Sequence, residues 1–321
     1  MKILVTGSAG FIGSHVAHEL LDQGHEVVGY DNFNDYYDVS LKGERHKSLI
    51  KRERFNGVRG DLFNYELLSY LFEQHKFELV CHLAAQAGVR YSIENPFAYE
   101  QANLNGHLNI LECCRKSEVK RLVYASSSSV YGGNKKVPFA ESDAVDHPVS
   151  LYAATKKANE LMTHCYTHLY GFQSVGLRFF TVYGPWGRPD MAYWLFAEAM
   201  LKGEEIKVFN NGDMQRDFTY IDDIVSGVVA SLFVEGLEQC ELFNLGNNRP
   251  EQLMDMISVL SQSLEVEPKM KMMPMQPGDV HITYADISKA QSKLGYKPEI
   301  RLEDGLSKFA NWYKEYLRNT V

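Results

Sequence analysis

Apolar positions follow two different periods along the chain. Short apolar runs bounded by glycine or polar residues occur at 2–6, 26–30, 79–83, 121–125 and 174–179, and the mixed stretch 55–59 can form a further strand, third in chain order. Runs of this kind read as strands, and as strands buried on both faces where the run is unbroken. Between them the spacing turns helical: Phe11, Ile12, Val16, Ala17, Leu20 and Leu21 follow the first run, 65–73 follows the third, and 96–116 follows the fourth with Ala102, Leu104, Leu108, Ile110 and Leu111. Strands alternating with helices predict an α/β chain on a doubly wound parallel sheet. Beyond 180 the pattern changes. Pro185 and Pro189 interrupt it, an apolar helix spans 221–233, a strand-like run spans 242–246, and Leu253, Met256, Ile257 and Leu260 carry a further helical stripe.

The first unit already points to a ligand. Gly7, Gly10 and Gly13 separate the opening strand from its helix, whose N-terminal N–H groups can then face a pyrophosphate. The spacing is Gly-x-x-Gly-x-x-Gly, and a plain tight turn would also use glycines. The second strand, however, ends at Asp31, where a carboxylate can accept the adenosine ribose hydroxyls and would repel the 2′-phosphate of NADP. The complete unit predicts NAD. In the loop that follows, Asn32 and Asn34 are candidate contacts, with a turn cluster as the alternative for Asn34. Residues 41–54 carry six Lys or Arg and read as the solvated face of an amphipathic helix, with Lys42 or Arg45 closing over an anion as the lesser reading.

The third strand leads to Gly60-Asp61-Leu62, where Asp61 can accept the adenine amino group or cap the next helix. The fourth leads into Leu83-Ala84-Ala85, and two small residues there let the backbone approach the nicotinamide half. Arg90 is an anion contact or a surface arginine. The fifth strand delivers Ser126, Ser127, Ser128 and Ser129 on the edge that carries the glycine turn. Tyr152 and Lys156 stand at i and i+4 and share a helix face. A lysine cation near a phenol favours the phenolate, giving an acid/base for a hydroxyl beside a nicotinamide.

Composition narrows the classes. At 321 residues, with 45% hydrophobic and 23% charged content, the chain has the make-up of a soluble globular protein of one or two domains. A net charge of -8 gives no footprint for nucleic acid. The five cysteines have no ligand-like spacing, and no charged and apolar leader precedes the first strand; the expectation is a cytoplasmic protein with no membrane anchor and no metal. The methionines at 270, 272, 273 and 275 read as filling, since no thiolate joins them.

Six marks in register carry a resemblance: Thr6-Gly7-x-x-Gly10-Phe11-Ile12-Gly13, Asp31-Asn32, Gly60-Asp61-Leu62, His82-Leu83-Ala84-Ala85, Ser126 to Gly132, and Tyr152-x-x-x-Lys156. Across essentially its whole length the chain resembles the extended short-chain dehydrogenase/reductases, the NAD-dependent sugar-nucleotide epimerases and dehydratases. The resemblance implies a Rossmann-type NAD-binding domain over 1–180 plus 211–246, and a smaller nucleotide-sugar-binding domain over 181–210 plus 247–321. It also implies that Ser127 bonds the reacting sugar oxygen, that Tyr152 is the acid/base and that Lys156 binds the nicotinamide ribose. Val208, Phe209, Arg216 and Asp279 would hold the nucleotide diphosphate of a UDP-sugar. Some relatives place an arginine where this chain has Gln276, which puts one phosphate contact in doubt.

The segments 180–191 and 86–92 are similar to the branch of that family acting on UDP-glucuronate at C4. A carboxylate at C6 needs donors, which Ser128, Ser129, Thr181 and Arg188 can supply, with Arg188 reading the charge. The expected activity is interconversion of UDP-glucuronate and UDP-galacturonate; the alternative is 4-epimerisation of UDP-glucose or UDP-N-acetylglucosamine. A 4,6-dehydratase is disfavoured because Ser128-Ser129 does not match the Asp-Glu pair of such enzymes. Leu104, Leu108, Leu111, Leu151, Ala154, Ala158, Leu161 and Leu169 exceed one stripe on their two helices, which predicts a homodimer through a four-helix bundle, as the resemblance also implies.

Overall fold

The structure, a computed structural model, describes residues 1–275 and 281–320. Its strands are β1 (Lys2–Thr6), β2 (Glu26–Asp31), β3 (Phe55–Arg59), β4 (Leu79–His82), β5 (Arg121–Ser127), β6 (Gln173–Phe179), β7 (Thr181–Tyr183), β8 (Glu205–Val208), β9 (Gln215–Tyr220), β10 (Cys240–Leu245), β11 (Pro250–Gln252), β12 (Lys269–Met272) and β13 (Ile282–Thr283). The helices are α1 (Phe11–Asp22), α2 (Val39–Ile50), α3 (Tyr65–His75), α4 (Tyr91–Glu94), α5 (Pro96–Tyr99), α6 (Gly106–Lys116), α7 (Leu151–Tyr170), α8 (Ala192–Lys202), α9 (Ile221–Phe233), α10 (Leu253–Leu264), α11 (Ser288–Leu294) and α12 (Leu302–Thr320).

Seven strands form one parallel sheet in the order β10-β6-β5-β4-β1-β2-β3. The order reverses between β1 and β4, and in a doubly wound sheet the crevice beyond the strand C-termini at that point receives the ligand. Alternation along each strand fills two cores. Ile3, Val5, Val27, Cys81, Val123, Val175 and Leu177 pack with α1 and α9, while Leu4, Val28, Val80 and Leu122 pack with α3 and α6. Fully burying one such side chain stabilises by about 1.5–3 kcal/mol, which is why the middle strands carry so few polar residues.

After β6 the chain leaves this sheet. β7, β9, β11 and β13 make a small mixed sheet centred on β9, and β8 pairs with β12. Asp217, fully buried on β9, holds this region together by accepting the backbone N–H groups of Asn247, Asn248 and Ala285. The chain then returns through α9, and β10 completes the large sheet against β6.

Two local expectations are corrected. The helix predicted over 96–116 is not continuous: Asn95 caps α5, residues 100–105 form a widened π-type turn, and α6 follows. The widened turn lets Asn103 reach sideways, exchanging bonds with Gln86 N and O at 2.8 and 3.0 Å and donating to Thr155 on α7 at 3.1 Å. The solvated reading of 41–54 also fails at two positions, because Lys42 and Arg45 are 6% and 2% exposed. Leu41, Arg45 and Leu49 stand at i, i+4 and i+8, so Arg45 shares the buried face.

Candidate active site

At the strand C-termini the backbone is shaped to receive a dinucleotide. Gly7 has φ +72°, and a Cβ there would stand 2.9 Å from the Ala84 nitrogen. A Cβ on Gly13 would lie 2.1 Å from the Gly7 oxygen, far inside van der Waals contact. Only glycine allows α1 to start this close to the turn, which leaves its first N–H groups facing the cleft. Ala9 N donates to Asp31 Oδ2 at 3.0 Å and Phe33 N to Oδ1 at 2.8 Å, so the turn and the carboxylate at the end of β2 are mutually fixed. Asn32 donates to Asp61 Oδ2 at 2.8 Å, Tyr30 donates to the Asp61 carbonyl at 2.7 Å, and Asn34 N donates to Asn32 Oδ1 at 3.0 Å. With Phe11, Ile12, Leu62, Leu83, Ala84 and Ala85 these residues wall one end of a cleft of about 570 Å³. The donor set and the glycine cradle fit NAD.

The other end of the cleft holds the hydroxyl groups. β5 runs two residues further than the pattern predicts, so Ser126 and Ser127 end the strand and 128–131 form a 3₁₀ turn. Ser127 Oγ accepts from Ser129 N at 3.2 Å and lies 3.1 Å from Ser129 Oγ. Beneath, Ser126 donates to Glu160 at 2.6 Å, Glu160 forks with Arg178 through two 2.8 Å bonds, and Arg178 donates to Tyr131 at 3.0 Å. This buried network ties the serine turn to α7. That helix starts where Ser150 accepts from Ala153 N at 3.1 Å, which sets Tyr152 and Lys156 on the face lining the cleft.

The electrostatics differ from expectation. Burial raises the Tyr152 phenol, and the Ser127 hydroxyl and Arg188 charge work the other way without overcoming it. Lys156 donates to the Ala125 carbonyl at 2.9 Å, and burial brings its ammonium down to about 7. Burial therefore opposes the charged form of both groups, and the Ser127 hydroxyl and the Arg188 charge, more than Lys156, are what favour the phenolate.

Ser128, Thr181, Arg188, Arg90 and Arg216 also line the cleft. Arg216 donates to the carbonyls of Gln215 and His281 at 2.9 and 3.1 Å. Val208 is fully buried in the core and the half-buried Phe209 packs beside it, its ring 5.8 Å from the guanidinium of Arg90, which lines the cleft. Asp279, and Gln276 with it, lie outside the described residues.

Sequence reasoning missed several cleft side chains. Tyr36 and Gln86 line it. Lys42, for which closing over an anion is the lesser reading of the sequence, lines it too, donating to both oxygens of Asn34 and brought down to about 8 by burial. Arg45 lies behind it, donating to the carbonyls of Ala9, Trp186 and Gly187 and to the Tyr37 hydroxyl. It thus fastens the glycine turn to the segment carrying Arg188. The four-residue spacing with Leu41 and Leu49 was the available signal.

Residues 3–246 match the model of the NAD dependent epimerase/dehydratase family. The chain belongs to that family. It is 50% identical over 334 aligned residues to UDP-glucuronate 4-epimerase 2 of Arabidopsis thaliana, covering 99% of this chain and 77% of the plant protein. Among solved structures it superposes with TM-score 0.93 and 37% identity on a UDP-glucuronic acid 4-epimerase from Bacillus cereus in complex with UDP-glucuronic acid and NAD, covering 98% of this chain and all of that one. A UDP-glucose 4-epimerase from Thermotoga maritima with UDP-glucose follows at TM-score 0.89 and 33% identity, covering 99% of this chain and 100% of the other. The fold and frame of this family member are therefore common to epimerases whose sugars differ at C6.

Proposed function

We propose that this epimerase interconverts UDP-glucuronate and UDP-galacturonate at C4. The observation that carries the reading is the Arg188 guanidinium lining the cleft close enough to Tyr152 to act on its ionisation, among the neutral donors Ser128, Ser129 and Thr181. A cation with hydroxyl donors suits a C6 carboxylate, whereas CH₂OH needs no charge. The half-identical plant relatives support the same choice.

NAD, when bound, supplies the redox chemistry, accepting a hydride from C4 and returning it to the opposite face. The chain supplies the rest. The glycine turn and α1 N-terminus receive the pyrophosphate, Asp31 with Asn32 and Asn34 the adenosine ribose, Asp61 and Leu62 the adenine, and Leu83 to Ala85 the nicotinamide side. Lys156 holds the nicotinamide ribose. Tyr152, acting as the phenolate that Ser127 and the Arg188 charge favour, takes the proton of the C4 hydroxyl and, as the phenol so formed, gives it back, with Ser127 bonding the same oxygen. Arg90, Arg216 and Asp279, with Val208 and Phe209, are assigned to the nucleotide diphosphate. Functionally the chain divides into 1–180 plus 211–246 for NAD and 181–210 plus 247–321 for the sugar nucleotide, with β9 pairing to strands of the second set.

The 4-keto sugar is a β-keto acid and can lose CO₂, so the carboxylate must be held out of the orientation that breaks its bond to C5. A mass-resolved assay tests the reading: UDP-glucuronate should give a product of unchanged mass, and loss of the mass of CO₂ would make the protein a decarboxylase instead. Arg188→Ala should lower kcat/KM on UDP-glucuronate by about a hundredfold and on UDP-glucose by far less. Equal losses on both would remove Arg188 from the role.

We also infer a homodimer. Leu108, Leu151, Leu161 and Leu169 on α6 and α7 are 39%, 42%, 59% and 61% exposed, an apolar surface that a second copy would cover as a four-helix bundle. Light scattering at micromolar protein should give twice the 36.6 kDa chain mass, and the single mass would rule the dimer out. The five cysteines are unpaired thiols, three of them buried, which suits the reducing cytoplasm. No helix among the described residues is long and apolar enough to cross a membrane.

A further inference from the structure

Arg188 does not meet the cleft with an open fork. Its Nε donates to Asp190 Oδ1 at 3.0 Å and its Nη2 donates to Asp190 Oδ2, so one bidentate edge is already taken by a carboxylate two residues along the chain. Tyr36, from the loop after β2, donates to the same Oδ2 at 3.0 Å. Tyr36 is itself fixed: its ring centroid lies 4.7 Å from that of Tyr91, and a Cβ on Gly88 would reach within 2.6 Å of its hydroxyl oxygen. Arg188 lines the cleft and Asp190 does not, and the two side chains are only 25% and 27% exposed. Among the described residues Asp190 is the one carboxylate that pairs with Arg188.

The field that a sugar meets here is that of an ion pair, weaker than that of a bare cation. The difference matters for an epimerase. Between the two transfers at C4 the oxidised sugar must present its other face, and a carboxylate locked to an uncompensated, partly buried guanidinium would resist turning. We propose that Asp190 is a specificity-determining positioning residue that keeps Arg188 in a standing ion pair, so that a uronate carboxylate is read without being clamped. This rests on the uronic acid reading of the site. Tyr36 is the donor that keeps Asp190 in place.

Asp190→Asn leaves the guanidinium without its counter-charge, and the substrate carboxylate becomes the group that satisfies it. The Kd for UDP-glucuronate, measured by calorimetry in a Tyr152→Phe background, should fall about fivefold, and the KM of the otherwise unchanged enzyme should fall with it. At the same time kcat should drop about tenfold as the sugar is held, while the Kd for UDP-glucose stays put. Asp190→Glu should restore both parameters toward those of the unmodified protein. Tyr36→Phe, which deletes one donor and keeps the ring, should move Kd and kcat in the same directions by less, and it carries the test if Asp190→Asn does not fold. An unchanged or raised Kd for UDP-glucuronate overturns the proposal, as does an equal rise of KM for both sugar nucleotides, the mark of a merely structural pair. Failure of the underlying reading shows separately: the unmodified protein would then turn over UDP-glucose and not UDP-glucuronate.

Discussion

Tyr152→Phe is expected to lower kcat on UDP-glucuronate by about a thousandfold while leaving KM, bound NAD and the fold close to those of the unmodified protein. The substitution removes one oxygen and little else. The Tyr152 ring meets Tyr99 edge-on at 6.0 Å, and α7 keeps its Ser150 cap and its contact with Asn103, so the phenylalanine ring has the same seat. What is lost, on the proposed mechanism, is the proton carrier. Ser127, the hydroxyl proposed to bond the same oxygen, cannot replace it, because a serine has no ionisation near neutral pH. Lys156 points its ammonium at the Ala125 carbonyl. Product formation followed by mass-neutral chromatography, beside NAD content in the purified protein, gives both halves of the test. A loss of less than tenfold would assign the proton to another group.

Gly13→Ala should leave purified protein with less than about a tenth of the NAD of the unmodified chain and destabilise it by about 1–3 kcal/mol. The added methyl would lie 2.1 Å from the Gly7 oxygen and 2.7 Å from the Gly7 carbonyl carbon, both backbone. Neither can withdraw without breaking the bond from Gly10 N to Gly7 O at 2.9 Å, which closes the turn. Relief requires α1 to back away from the cleft, taking its N-terminal N–H groups out of reach of a pyrophosphate. Gly43 on α2 is the control, because a Cβ there meets nothing within 4 Å, and Gly43→Ala should raise stability by about 0.5–1 kcal/mol with NAD content unchanged. Cofactor content by acid extraction and melting temperature report the two effects separately.

Local pattern exposed the parts of this molecule that short-range physics determines. Apolar runs marked the middle strands of the large sheet because residues buried on both faces leave few polar positions, while the edge strands β3 and β10 carry polar residues. The glycine turn and Tyr152 with Lys156 were readable because each is set by spacing along one element. Arg45 was hidden because its partners Ala9, Trp186 and Gly187 lie far from it in sequence, and a basic residue in a basic helix resembles a solvated one until those carbonyls are seen. Asp190 escaped for a different reason: its role depends on which way Arg188 turns, and Tyr36, 154 residues away, is what fixes the carboxylate. The break in the 96–116 helix had a local sign in Asn95-Pro96. The π-type turn beyond it follows from the demand of Asn103 for the backbone of Gln86, which periodicity does not carry.

The place of β10 in the sheet bears on how the chain is made. β6 pairs on one side with β5 and on the other with β10, whose residues lie some sixty positions further along, beyond β7, α8, β8, β9 and α9. As a ribosome releases the chain, everything needed for the NAD cleft through Lys156 has emerged while β6 still presents a bare row of N–H and C=O groups. α9, which covers α1, is missing at the same stage. The nascent protein therefore carries an open sheet edge with Val175, Leu177 and Phe179 on its strand until residue 245 is free, the interval in which a chaperone, or a second nascent chain, has something to hold.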